Sequence, residues 1–151
     1  MKNFIAGHEI QPPVIPTTLL VTLLAVPALQ AQDADFAGIV KSQRYIQTGP
    51  TNVVLEENAF VFDTFTDAAD ANSLSSVTLN VPGGTEVEVP ADGDSEFFYD
   101  SYFESLDALN TSFPNGAYSL TIVGENDGEQ TVNFDLNGDR YPAVTRFTDY
   151  E

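Results

Sequence analysis

Three acidic stretches hold the side chains best suited to chemistry. Asp92-Gly93-Asp94-Ser95-Glu96 sets carboxylates two residues apart around a glycine, and Glu125-Asn126-Asp127-Gly128-Glu129 repeats the spacing. Asp135-Leu136-Asn137-Gly138-Asp139 offers two carboxylates and a carboxamide at alternate positions. Oxygens at every second position of a turn can close on one hard cation. Asp92, Asp94, Glu96, Asp127, Asp135, Asn137 and Asp139 are therefore the candidate metal ligands, and calcium is the one candidate cofactor. Two such loops brought to one end of the fold would share an ion at modest affinity. Each taken alone reads as a solvated turn.

The Asp135–Asp139 stretch resembles the start of the calcium loops of EF-hand and dockerin modules, Asp-x-Asn-x-Asp. The match then ends, because Arg140 stands where those loops need glycine for a sharp turn. No acidic residue follows at the closing position. Asn137-Gly138 is also the strongest two-residue hairpin signal in the chain, which accounts for the same residues with less.

Catalytic equipment is sparse. The chain has no Cys and one His, His8, so beyond residue 31 no His-activated nucleophile or usual zinc set can be assembled. A carboxylate pair for glycoside hydrolysis stays open on residue types alone. Yet about 120 residues leave little room for both a core and a substrate cleft, and Trp is absent as a sugar platform. The expectation is no enzyme.

Charge narrows the partners. With 23 acidic and 5 basic side chains the net charge is −18, which repels nucleic acid and anionic membrane surfaces. Hydrophobic residues at 42% and aromatics at 11% suffice for an ordered core. Residues 1–31 read as a secretory signal peptide: Lys2, then the apolar run Leu19–Val26, then the small-residue site Pro27-Ala28-Leu29-Gln30-Ala31 before Gln32. The run is too short for a permanent membrane span. His8, Glu9 and three prolines dilute its basic region, and removing residues 1–31 leaves the net charge unchanged.

Elements that must carry the acidic loops follow from period-two alternation. After a polar lead-in, Gln32 to Asp35, strands are expected over about 42–47, 52–55 and 59–65, the last burying Phe60 and Phe62 on one face. Ser75–Val81 and Thr85–Val89 alternate cleanly around Pro82-Gly83-Gly84 and form a hairpin. Glu96–Tyr99 is a strand. Ser101-x-x-Glu104 is a capping box that starts a short crossover helix over about 102–110, burying Phe98 and Tyr102. Phe113-Pro114-Asn115-Gly116 then turns into a strand with Tyr118, Leu120 and Ile122 inward, the Tyr118 hydroxyl reaching a nearby backbone carbonyl. Gln130–Leu136 follows with Val132, Phe134 and Leu136 inward, and Arg140–Phe147, interrupted by Pro142, is an edge strand or linker. About eight short strands and one short crossover helix make an all-β, antiparallel β-sandwich of Ig-like, Greek-key type over 32–147. Residues 148–151 are the start of a linker or a truncated end.

Several segments together resemble the N-terminal β-sandwich module of large secreted or surface-attached bacterial proteins. They are Phe36–Lys41, Tyr45–Gln47, Ala59–Phe62, Val81–Gly84, Leu106–Leu109 leading into Phe113–Tyr118, and Gly138–Pro142. Pro-x-Gly-x-Tyr around Tyr118 is similar to the tyrosine corner of sandwich folds. These are turn and core residues, so the resemblance implies fold and brings no activity. It implies a non-catalytic module, structural or adhesive, secreted or at the cell surface. Its partners would be other domains of a larger surface protein or extracellular glycans. A calcium-assisted carbohydrate- or ligand-binding module using the acidic loops is the alternative.

Overall fold

The computed structural model describes residues 33–138 and 140–147 together with the backbone of Pro16 and Thr17. Asp139, the linker expected at 148–151 and, apart from Pro16 and Thr17, the signal peptide expected at 1–31 lie outside the described residues.

Among the described residues, eight strands and one helix follow in chain order: β1 (Pro16–Thr17), β2 (Ala34–Gln47), β3 (Val53–Ala68), β4 (Leu74–Val81), β5 (Thr85–Val89), β6 (Glu96–Phe103), α1 (Leu106–Ser112), β7 (Ala117–Gly124) and β8 (Gly128–Asp135). One sheet has the order β1-β2-β3-β6 and the other β5-β4-β7-β8. Every pair is antiparallel. The chain changes sheet after β3, β5 and β6, so β6 returns beside β3 and β7 beside β4. This is the Greek-key winding of an Ig-like β-sandwich. β1 lies at the rim of β2, pairing Pro16 with Ile46 and Thr17 with Tyr45.

Alternation puts the core between the sheets. Phe60 and Phe62 of β3 face Val77 and Leu79 of β4, and Tyr118, Leu120 and Ile122 of β7, all buried. Val132, Phe134 and Leu136 close the β8 side, while Leu109 of α1 and Phe113 plug one end. The Phe62 and Phe113 rings stack with centroids 3.9 Å apart. Each such side chain contributes about 1.5–3 kcal/mol over exposure. With no Cys for disulfides, these layers carry the stability. The Tyr118 hydroxyl donates to the Pro114 carbonyl, and burial pushes its pKa up.

Several expectations need correction. β2 and β3 are long strands of 14 and 16 residues; the runs expected at 52–55 and 59–65 are one strand. Between Leu55 and Phe60 the register slips against Tyr45 and Gln43, and Asn58 takes a positive φ of 52° to absorb the extra residues. β6 runs on through Phe103, so Ser101 and Tyr102 are strand residues. Ser105 is the helix cap, accepting from Ala108 N at 3.2 Å. Phe97, Tyr99 and Phe103 pack against the core, whereas Tyr102 is 49% exposed. After Asn137-Gly138 no strand follows among the described residues: the chain reaches the opposite sheet, where Gln47 donates to Phe147 O and accepts from Phe147 N. No helix among the described residues is long and apolar enough to cross a membrane.

Candidate functional site

One end of the sandwich gathers the start of β2, the β3–β4 loop, the β5–β6 loop and the β7–β8 turn. Its centre is Asp33, a residue of the expected polar lead-in that is instead 1% exposed. The Asp33 carboxylate accepts from Asn126 N, Asn126 Nδ2 and Asp127 N, each at 2.7 Å. Its own N–H donates to Asp127 Oδ2 at 3.3 Å, and its carbonyl accepts from Ser73 Oγ at 2.6 Å and Ala69 N at 3.0 Å. The Asn126 side chain and the two backbone amides favour the ionised form and hold the Asp33 pKa below the usual carboxylate value, against the opposing effect of burial. Gly124 makes room for it: a Cβ there would stand 2.3 Å from Asp33 Oδ2.

The neighbouring loop is tied into the same end through its backbone. Asn72 N donates to Asp94 O at 2.6 Å, Ala68 N to Ser95 O at 2.7 Å, and Glu125 N to Ser73 O at 2.9 Å. Thus the loop with Asp92, Asp94 and Glu96 and the turn with Asp127 do come to one end. Asp135 and Asn137 are a whole strand length away, since Asp135 pairs with Ala117 at the start of β7, and Asp135 Oδ1 accepts from Asn137 N in a local turn. Asp139 is outside the described residues. Among the described residues, no group of three His, Cys, Asp or Glu side chains could hold a metal ion. The carboxylate at the centre of this end is engaged by N–H donors.

A second polar group lies on the outer face of β2, β3 and β6. Asp63 and Asp100 stand directly opposite each other across the β3–β6 pair. Partial burial and the facing Asp100 carboxylate push Asp63 up to about 6, with Arg44 pulling the other way. The Tyr102 hydroxyl bonds Asp100, which raises its pKa. Arg44 Nε is 3.0 Å from Glu56 Oε2, and its guanidinium lies 5.8 Å from the Tyr102 ring centroid. Sequence gives no hint of this cluster, because its members are joined only by strand register.

At the other end, the buried Lys41 ammonium donates to Asn110 Oδ1 at 2.9 Å and Asn115 Oδ1 at 2.8 Å. It ties β2 to α1 and to the turn before β7. A cleft of about 270 Å³ opens beside β4, lined by Leu74, Ser75, Ser76, Glu88, Pro90 and Asp94 among others. No family model, curated protein or solved structure matches this chain.

Proposed function

We propose that the chain is a non-catalytic extracellular β-sandwich module, a structural or adhesive part of a secreted or cell-surface protein. The observation that supports this best is the use made of its buried polar groups. Asp33 ties the two sheets at one end, Lys41 ties sheet to helix at the other, and Gln47 fastens the C-terminal segment. Each is committed to holding shape. The Tyr118–Pro114 bond does the same at the crossover from α1 to β7, in the manner of a tyrosine corner. The acidic surface keeps such a module soluble and away from anionic membranes and nucleic acid.

Export is the testable part. When the full chain is expressed in a secreting host, N-terminal sequencing of the medium or surface fraction is expected to begin at Gln32. Retention of the whole product inside the cell with Met1 intact would end the extracellular reading.

A calcium-assisted binding module has one observation in its favour, the arrival of the Asp94 loop and the Asp127 turn at the same end. Thermal unfolding with calcium and with chelator separates the two readings. A midpoint shift of many degrees supports calcium, and coincident curves support the purely structural module.

A further inference from the structure

We propose that the cleft beside β4 receives an extended, basic segment of a partner protein, which adds to the open β4 edge by main-chain hydrogen bonds. The edge is open for a reason written in the sequence. Pairing between β4 and β5 ends at Val77 with Val89. The residue that would stand opposite Ser76 is Pro90, which has no N–H to give. Its carbonyl is turned to the other sheet, where it accepts from Phe98 N at 3.0 Å. Leu74 and Ser76 therefore pair with β7 on one side and, among the described residues, with no strand on the other.

The register of β4 against β7 also shifts between Leu74 and Ser76. Such a bulge bends the strand and re-aims its groups, as bulges beside binding sites do. The resulting cleft, about 270 Å³, is small for a drug-sized ligand and suits a short stretch of extended chain. Adding a strand to a sheet edge gives affinity through the main chain and leaves selectivity to the walls. Here the walls choose charge: the exposed Glu88 and Asp94 line the cleft, in a molecule of net charge −18. An acidic segment would be repelled and a basic one steered in.

The test is an amide NMR titration of the ¹⁵N-labelled full chain with a five-residue capped peptide of alternating valine and lysine. Shifts are expected at the amides of Leu74, Ser75 and Ser76. Glu88→Gln and Asp94→Asn are each expected to weaken binding roughly two- to fivefold, as for exposed ion pairs. Methylating the peptide nitrogens that face β4 should weaken it about fivefold or more, which requires no change to the protein. Absence of shifts at Leu74–Ser76, equal binding of a valine–glutamate peptide, or indifference to N-methylation would each overturn the proposal.

Discussion

Asp33 and Asp63 are both aspartates set against a sandwich, and they are held in opposite ways. Asp33 is the more deeply buried, yet its pKa is lowered, because three N–H groups of the β7–β8 turn aim at its oxygens. Asp63 keeps part of its surface in solvent, yet it is pushed up to about 6, because burial is joined by a second carboxylate. Burial pushes both carboxyls up; what decides the sign is whether N–H donors aimed at the oxygens outweigh it, as they do at Asp33, or a second carboxylate adds to it, as at Asp63. The first aspartate locks one sheet to the other. The second is a local cost that the surrounding apolar register of β2, β3 and β6 carries.

The contrast can be broken most severely at Gly124. A Cβ there meets Asp33 Oδ2 at 2.3 Å and Asp33 Cγ at 2.8 Å, and the carboxylate cannot retreat without abandoning its donors. Gly124→Ala is expected to cost about 2–3 kcal/mol, seen as a lower urea midpoint with an unchanged slope. A wild-type midpoint would mean that Asp33 is free to move. Next in size is Asp33→Asn, which keeps the shape but puts an amide where N–H groups need an acceptor. A group with a lowered folded pKa lends stability above its unfolded value near 4 and loses it as pH falls through the folded one. The melting temperature of the variant should therefore lie below wild type at neutral pH, with the gap closing on acidification. A gap independent of pH would show that the ionised form is not what matters.

How much of this was legible depends on whether partners are near in sequence. The β4–β5 hairpin is fully readable, since Val77, Leu79 and Val81 answer Val87 and Val89 around one glycine turn. The inward set of β7 is equally plain in Tyr118, Leu120 and Ile122. In β6 the parity is not readable, because Glu96–Phe103 has aromatic residues on both faces. Only the pairing of Phe98 with Phe65 and Tyr102 with Val61 assigns those two outward. The capping-box pattern points to Ser101 as the helix start, but the strand claims that residue through its pairing with Phe62 and leaves the cap to Ser105. Asn137-Gly138 signals a turn correctly, but no local rule tells that the returning chain will be captured by Gln47, 100 residues earlier, in the other sheet. Asp33 looks like a polar lead-in for the same reason: its donors are 93 and 94 residues away. Of the acidic loops, spacing predicted local turns, and topology alone brought the Asp94 loop and Asp127 together while sending Asp135 to the far end.

The smallest effect expected is at the second aspartate, and it has the opposite sign. A carboxyl whose folded pKa lies above its unfolded one costs stability wherever both states are ionised, which for Asp63 means above about pH 6. Between pH 6 and about 4 the folded state holds the extra proton and the cost shrinks. Asp63→Asn removes the charge and retains the shape, so it is expected to stabilise the protein at pH 7.5 by about 1 kcal/mol, the displacement being discounted for the part of the side chain in solvent. At pH 4 the variant and the wild type should melt together. Replacing the facing residue, Asp100→Asn, should recover only part of that gain, because burial is the larger cause at Asp63 and remains. Should Asp63→Asn instead destabilise at pH 7.5, the ionised carboxylate would have to be holding something useful, with Arg44 the charged group acting on it in that sense. The two aspartates would then be variations on one device, and the opposition drawn between them would fail.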